Sequence, residues 1–238
     1  MIIRIEKHLS EQGIMSRREA KRFLQEGLIF VNKKKAQPGD KIDPSTDKIS
    51  YEKSVEESMQ TKESVLVYKP RGVVSSKDTD QGKNIFDIFP QFKNLNTVGR
   101  LDKESDGLII LSNDGMITKA ITGKDHKIEK EYKVIVREKV TPAIMRQMSE
   151  GIKLDDGWTL PAHAKKIDSN TFSITLREGR KHQIRRMANA CRLTIESLTR
   201  IRIHSITAPK MLPGNFKNLT EEQIQDLKNI GAKTASGK

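Results

Sequence analysis

The sequence contains a single cysteine, Cys191. One thiol cannot close an intramolecular disulfide, and its place in an amphipathic pattern suits a small buried hydrophobe rather than a redox group. The five histidines, His8, His126, His163, His182 and His204, show no H-x-x-x-H spacing and no accompanying cysteine pair, so no metal site is expected. Long apolar runs are missing too. None approaches the roughly 18 residues that would suggest a membrane span, and no charged-then-apolar leader with a small-residue cleavage site is present. The expectation is a soluble, cytoplasmic protein with no membrane partner. There is also no G-x-x-x-x-G-K-[ST] loop, no strand-linked G-x-G-x-x-G and no G-x-S-x-G elbow, which removes weight from nucleotide, dinucleotide and serine-hydrolase chemistry.

What the chain has in quantity is positive charge. Lysine and arginine number 44 against 31 acids in 238 residues, a formal net charge of +13. That excess favours a polyanionic partner, nucleic acid foremost, over a neutral metabolite. The charge is concentrated. Residues 1–41 hold ten cations against five acids, whereas residues 43–63 hold six acids against three lysines. Residues 176–204 hold eight cations against two acids, and phosphates are the natural counter-ions for such a stretch.

The length fits two domains. Ile5 and Leu9 sit one helical turn apart in a first helix that stops at Gly13. Ser16 and Glu19 form a capping box for a second helix over residues 17–26. Ala20, Phe23 and Leu24 make its apolar face, and Arg17 with Lys21, and Arg18 with Arg22, are i,i+4 neighbours facing outward as an RNA-binding surface. A strand over 28–31 and turns at 32–34 and 38–40 complete a small helix-helix-strand module spanning residues 1–52. The acidic residues 53–63 read as a linker, residues 64–231 as the large domain, and residues 232–238 as a disordered tail. Within the large domain, Val65-Leu66-Val67, Leu108-Ile109-Ile110-Leu111, the pair Val134 and Val136, and Phe172, Ile174 and Leu176 read as strands. Helices are expected over 142–150, with Thr141 as cap and Gly151 as stop, and over 181–191, with Ile184, Met187 and Ala188 inward. Thr220 to Gln223 is a further capping box, announcing a helix with Ile224 and Leu227 to pack. The fold class is therefore α+β: a small basic domain joined to a larger mixed, mainly antiparallel sheet flanked by helices.

Two passages stand out. Residues 95–107 form a polar loop, Leu95-Asn96-Thr97-Val98-Gly99-Arg100-Leu101-Asp102-Lys103-Glu104-Ser105-Asp106-Gly107, leading directly into a strand. Residues 176–187 make a strand-turn-helix passage with five cations among twelve residues. Composition and spacing alone stop at a basic α+β protein that binds RNA or DNA, because acids such as Asp102 and Asp106 in a loop ordinarily cap turns.

Gly99-Arg100-Leu101-Asp102 followed by Ser105-Asp106-Gly107-Leu108 resembles the signature of the bacterial ribosomal RNA pseudouridine synthases, in the branch carrying a fused small RNA-binding domain. Lys69-Pro70-Arg71-Gly72-Val73-Val74-Ser75, Glu129-Lys130-Glu131-Tyr132 and Gly179-Arg180-Lys181-His182-Gln183-Ile184-Arg185-Arg186-Met187 follow in the family's order. The N-terminal module is similar to the RNA-binding domain named after a small-subunit ribosomal protein. Ser16-Arg17-Arg18-Glu19-Ala20, Asp125-His126 and the His182–Met187 run look most like the members that act on large-subunit rRNA. Two departures are Tyr68, where relatives commonly carry asparagine, and an insertion-like Lys127-Ile128.

The resemblance implies an isomerisation that needs no cofactor, with Asp102 as catalytic residue, Tyr132 stacking on the flipped uracil and Arg185 pairing with Asp102. Arg100, Leu101 and Ile184 would line the pocket. Lys69, Arg71, Arg180, Lys181 and Arg186 join Arg17, Arg18, Lys21 and Arg22 as RNA contacts, the partner being rRNA, free or in an assembly intermediate, and the protein a monomer. Two other readings remain open: a non-catalytic ribosome-associated RNA-binding protein, and another RNA-modifying enzyme such as a methyltransferase, for which the sequence offers no adenosylmethionine site.

Overall fold

The computed structural model describes the chain except residues 1, 13, 78–79, 81, 124–127 and 234–238. The expected stop at Gly13, the Asp125-His126 passage, Lys127 of the insertion and most of the expected tail lie outside the described residues. Two compact units emerge: Met1–Ser64 with Ser112–His126 and Thr220–Lys238, and Val65–Leu111 with Lys127–Leu219. The division corrects the expectation of a catalytic domain continuous over 64–231, because two of its helical segments cluster with the N-terminal residues.

In the first unit, helices Ile5–Glu11 and Arg17–Gln25 arise as their patterns predict. The capping box is complete: the Glu19 amide donates to Ser16 Oγ and the Ser16 amide to Glu19 Oε2, each at 3.2 Å. Ile5, Leu9, Ala20, Phe23 and Leu24 bury together with Ile29 and Ile42. A three-stranded antiparallel sheet, Lys34–Lys35, Ile29–Val31 and Ile49–Tyr51, closes the module. Its hairpin turns on Asn32 and Lys33, both at positive φ (49° and 67°), the twist-matching geometry that asparagine tolerates well.

The expected linker is not one. Lys53–Gln60 is a helix, and Val55 is fully buried in the module's core with Met59 packed against it. An apolar pair one helical turn apart in an acidic stretch is an amphipathic signal, and burial of that pair fixes the segment. Helices Gly115–Thr122 and Glu221–Lys233 pack closely enough that a Cβ at Gly231 would stand 3.0 Å from the Met116 carbonyl. Lys228 Nζ lies 3.1 Å from Asp114 Oδ2, and the Thr220–Gln223 capping bonds form at 3.1 and 3.2 Å.

The second unit is built on a nine-stranded mixed sheet. Its main path runs His163–Asp168, Thr171–Leu176, Lys130–Val136, Ile195–Ile203, Asp106–Ser112, Ser64–Lys69 and Phe216–Asn218, with short strands Ile206–Thr207 and Asn96–Val98 at its side. Most pairings are antiparallel, but Ile195–Ile203 and Asp106–Ser112 run parallel, with Arg200 opposite Gly107. Residues 107–112 are all buried, as a strand covered on both faces requires. Helices Pro142–Glu150 and Gln183–Ala190 contribute Met145, Met148, Ile184, Met187 and Ala188 to a core shared with Val134, Phe172, Ile174 and Leu198. The first has Thr141 and Gly151 at its ends as expected. The second begins two residues later than its pattern suggests, because His182 adopts a left-handed conformation (φ 51°).

Candidate active site

The parallel pair of strands sets the position of the loop 99–105. Gly107 lies at φ 109°, and a Cβ there would fall 2.4 Å from the Arg200 carbonyl oxygen, so only glycine lets the two backbones meet. Arg200 is 2% exposed. Its Nε donates to the Leu108 carbonyl at 2.6 Å and its Nη1 to the Arg100 carbonyl at 3.4 Å, so one buried guanidinium holds the backbone on both sides of Asp102. No carboxylate balances it within hydrogen-bonding reach among the described residues, and its Nη2 has no partner there.

The loop between those anchors is pinned residue by residue. Leu101 is buried, and Ser75 Oγ accepts from its amide at 3.1 Å while donating to its carbonyl at 2.8 Å. The Lys103 carbonyl accepts from the Gly72 amide at 2.8 Å and from Lys69 Nζ at 3.5 Å. Ser105 is buried, and its amide donates to the Asp102 carbonyl at 3.0 Å. Asp106 accepts from the Tyr68 hydroxyl at 2.7 Å and from the Thr199 hydroxyl at 2.8 Å. Burial first, and the Asp106 carboxylate second, push the Tyr68 phenol well above its ordinary range, so it stays a proton donor to Asp106.

In this frame Asp102 keeps about a third of its side chain exposed, with a different partner for each oxygen. His182 Nε2 stands 3.4 Å from Oδ1, and Arg185 Nε 3.8 Å from Oδ2. At 3.8 Å the Arg185 contact is an ion pair without a hydrogen bond. The same guanidinium donates through Nη2 to the Glu104 carbonyl at 3.0 Å and to Ser105 Oγ at 3.1 Å. Arg185 therefore fixes the loop first and the carboxylate second. The arrangement offers a preorganised carboxylate with an open face, suited to nucleophilic attack or to stabilising a developing cation. Among the described residues no group of three histidine, cysteine or acidic side chains could hold a metal ion.

Tyr132 lies in the strand beside Ile195–Ile203, opposite Arg200 in register, and packs half-buried on the core cluster that contains Ile184. Ile184 is 5% exposed and serves that core. Arg100 is exposed. Lys69 departs from expectation, because it is fully buried and donates to the carbonyls of Pro70 at 2.9 Å and Val73 at 2.7 Å, so it cannot reach RNA. Burial lowers its pKa to about 8, against the opposing attraction of Asp106, Asp102 and Glu104. Arg71 is exposed and pairs with Glu104 at 3.0 Å. Arg180 and Arg186 are held by Asp156, Glu178 and nearby carbonyls, whereas Lys181 is exposed. In the first unit Arg17 and Lys21 line a cleft of about 520 Å³ with Arg4, Lys7 and Gly39, while Arg22 lies across the Phe23 ring at 4.5 Å. Arg18 and Arg22 are exposed and do not line that cleft.

Sequence reasoning missed His182, Ser75 and Arg200 as site residues. The first two sit inside the quoted motifs, at positions the motif order alone did not assign.

Residues 63–190 match the model of the RNA pseudouridylate synthase family, and residues 3–48 that of the S4 domain. The chain is 36% identical to the dual-specificity RNA pseudouridine synthase RluF of Escherichia coli (strain K12), over 94% of this chain and 78% of the relative. It is 30% identical to the ribosomal large subunit pseudouridine synthase B of Bacillus subtilis (strain 168), over 95% and 96% of the two chains. A solved structure described as a pseudouridylate synthase superposes with a TM-score of 0.69 at 26% identity, covering 94% of this chain and 99% of that one. The aspartate loop, its buried anchors and these matches agree that the chain belongs to the RNA pseudouridylate synthase family, with an S4 domain at its N-terminal end.

Proposed function

We propose that this protein isomerises a specific uridine of 23S ribosomal RNA to pseudouridine, with Asp102 as the catalytic carboxylate and no cofactor. The observation that carries the reading is the Asp102 loop: one partly exposed carboxylate, with an imidazole and a guanidinium at separate oxygens, in a backbone held on every side. The names of the Escherichia coli and Bacillus subtilis relatives support the reaction, and that of the Bacillus subtilis relative supports the ribosomal large-subunit substrate.

Isomerisation breaks the N1–C1′ bond, turns the uracil and joins C5 to C1′, releasing the C5 proton. The bonds balance without an external donor or acceptor. A carboxylate serves by attacking the base or the sugar as a nucleophile, or by stabilising a cationic C1′. A uridine inside a stem is inaccessible, so the base must flip out at a cost of a few kcal/mol, offset by RNA contacts. Tyr132 stacks on the flipped uracil, Arg185 and His182 orient Asp102, and Arg100 and Leu101 border the nucleotide. The module of residues 1–52, through Arg17 and Lys21, grips phosphates, with Arg18, Arg22, Arg71 and Lys181 adding positive charge. The protein acts as a cytoplasmic monomer on rRNA, free or in an assembly intermediate.

The test is tritium release from rRNA labelled at uracil C5, with no added cofactor, for the wild type and Asp102→Asn. Release by the wild type alone is expected. Release by the variant at a comparable rate, or none by the wild type on RNA it binds tightly, would remove the assignment.

A further inference from the structure

Trp158 is the chain's sole tryptophan, and 66% of it is exposed. Leu160, two residues on, is also exposed, and a flat indole face of this size, with its polar N–H, suits a stacked occupant. It sits on a two-stranded hairpin, Lys153–Leu154 against Gly157–Trp158, with Lys153 directly across from it.

The hairpin is braced. Arg180 donates to the carbonyls of Asp156 at 3.3 Å, of Gly157 at 3.2 Å and of Trp158 itself. Arg186 pairs with the Asp156 carboxylate. At the hairpin's base the Thr159 amide donates to the Ile152 carbonyl at 3.0 Å and the Ile152 amide to Thr159 Oγ1 at 2.9 Å. Two arginines that the sequence offers as phosphate ligands thus hold the backbone that carries an exposed indole.

The brace also ties the indole to the catalytic machinery. Arg180 precedes His182 by two residues, and His182 and Arg185 are the groups beside Asp102. Glu178 joins both sides, accepting from the Leu160 amide at 2.9 Å and from Gln183 Nε2 at 2.7 Å. Trp158 and the start of helix Gln183–Ala190 are one hydrogen-bonded piece.

We propose that Trp158 is a stacking platform for an unpaired nucleobase of the substrate RNA, flanking the uridine that enters the site. The inference rests on the RNA-modifying reading above and adds to it a base-recognising contact on the catalytic unit. An indole face stacks on any base, the brace holds the backbone that carries it, and Lys153 and Lys181 supply exposed positive charge for the adjoining phosphates. Asp156 is neutralised by Arg180 and Arg186 and Asp155 is an exposed carboxylate of the same turn, but the chain's formal charge of +13 favours RNA over a protein occupant.

The lone tryptophan makes the test direct. Full-length protein is titrated with an RNA hairpin carrying unpaired uridines in its loop, and with a fully paired duplex of equal length, while indole emission is followed. Loop RNA should quench emission strongly, saturating with independently measured binding, and duplex should quench far less. Trp158→Ala should weaken loop-RNA binding about tenfold, with Trp158→Tyr restoring most of it and the salt dependence unchanged in both. Unmoved emission with RNA bound and Asp102-dependent tritium release intact would overturn the platform and leave the enzymatic reading standing. Failure of both RNA binding and tritium release would remove both.

Discussion

The cations of the helix Arg17–Gln25 and those of the catalytic unit look alike in the sequence and differ in the fold. Arg17 and Lys21 open onto a cleft in the small module, facing solvent. Lys69, Arg185 and Arg200 turn toward the chain's own carbonyls around the Asp102 loop, and Arg180 toward those of the 153–158 hairpin. The first set is available to phosphate and the second is structural. Net charge therefore overstates the RNA-facing surface of the catalytic unit, while each inward cation converts charge into backbone position.

The comparison breaks most visibly at Arg200. Arg200→Met leaves the Leu108 and Arg100 carbonyls without their buried donor, and should cost about 3 kcal/mol of stability, read from urea unfolding. A loss no larger than that of an exposed arginine would mean the guanidinium is not an anchor. Arg185→Lys keeps the charge but loses the forked reach to Glu104 and Ser105. Turnover should fall on the order of a hundredfold with RNA affinity nearly unchanged, by single-turnover kinetics beside filter binding. Loss of affinity instead would place Arg185 with the outward set.

For that outward set, Arg17→Glu with Lys21→Glu should weaken RNA binding, and the slope of log affinity against log salt should become shallower by roughly two, with stability unaffected. The smallest effect belongs to Lys69. Its pKa in the folded chain is lowered from 10.5 to about 8, so between those values the unfolded chain holds more protons than the folded one. Stability should accordingly rise with pH from about 8 toward 10.5. Lys130, lowered likewise to about 8 by burial and by Arg200, contributes in the same direction. Lys69→Met should reduce the rise without abolishing it, measured by unfolding at several pH values.

How much was legible follows from where information is local. The Ser16–Glu19 box, the Thr141 cap and the period of Ile184, Met187 and Ala188 are written within a helical turn, and they form as written. Asp102 and Arg185 are 83 positions apart, and only the family's motif order joined them ahead of the fold. Lys69 misled because Lys-Pro-Arg-Gly reads as an exposed turn, whereas its amine is drawn inward by carbonyls, including that of Lys103, which no local pattern reveals. The acidic stretch 53–63 misled because its charges outvoted Val55 and Met59. Arg200 was counted as one cation among eight; its role depends on a parallel strand pairing that brings it opposite Gly107.

That pairing has a consequence for how the protein tolerates change. Alanine, usually the mildest replacement, already places its one extra carbon 2.4 Å from the Arg200 carbonyl oxygen, in a backbone geometry that disfavours it as well. In a saturation library selected for function, codon 107 should return glycine alone, while Gly214, also at positive φ (83°) but with open space around it, meets only the backbone strain and should return a broader set.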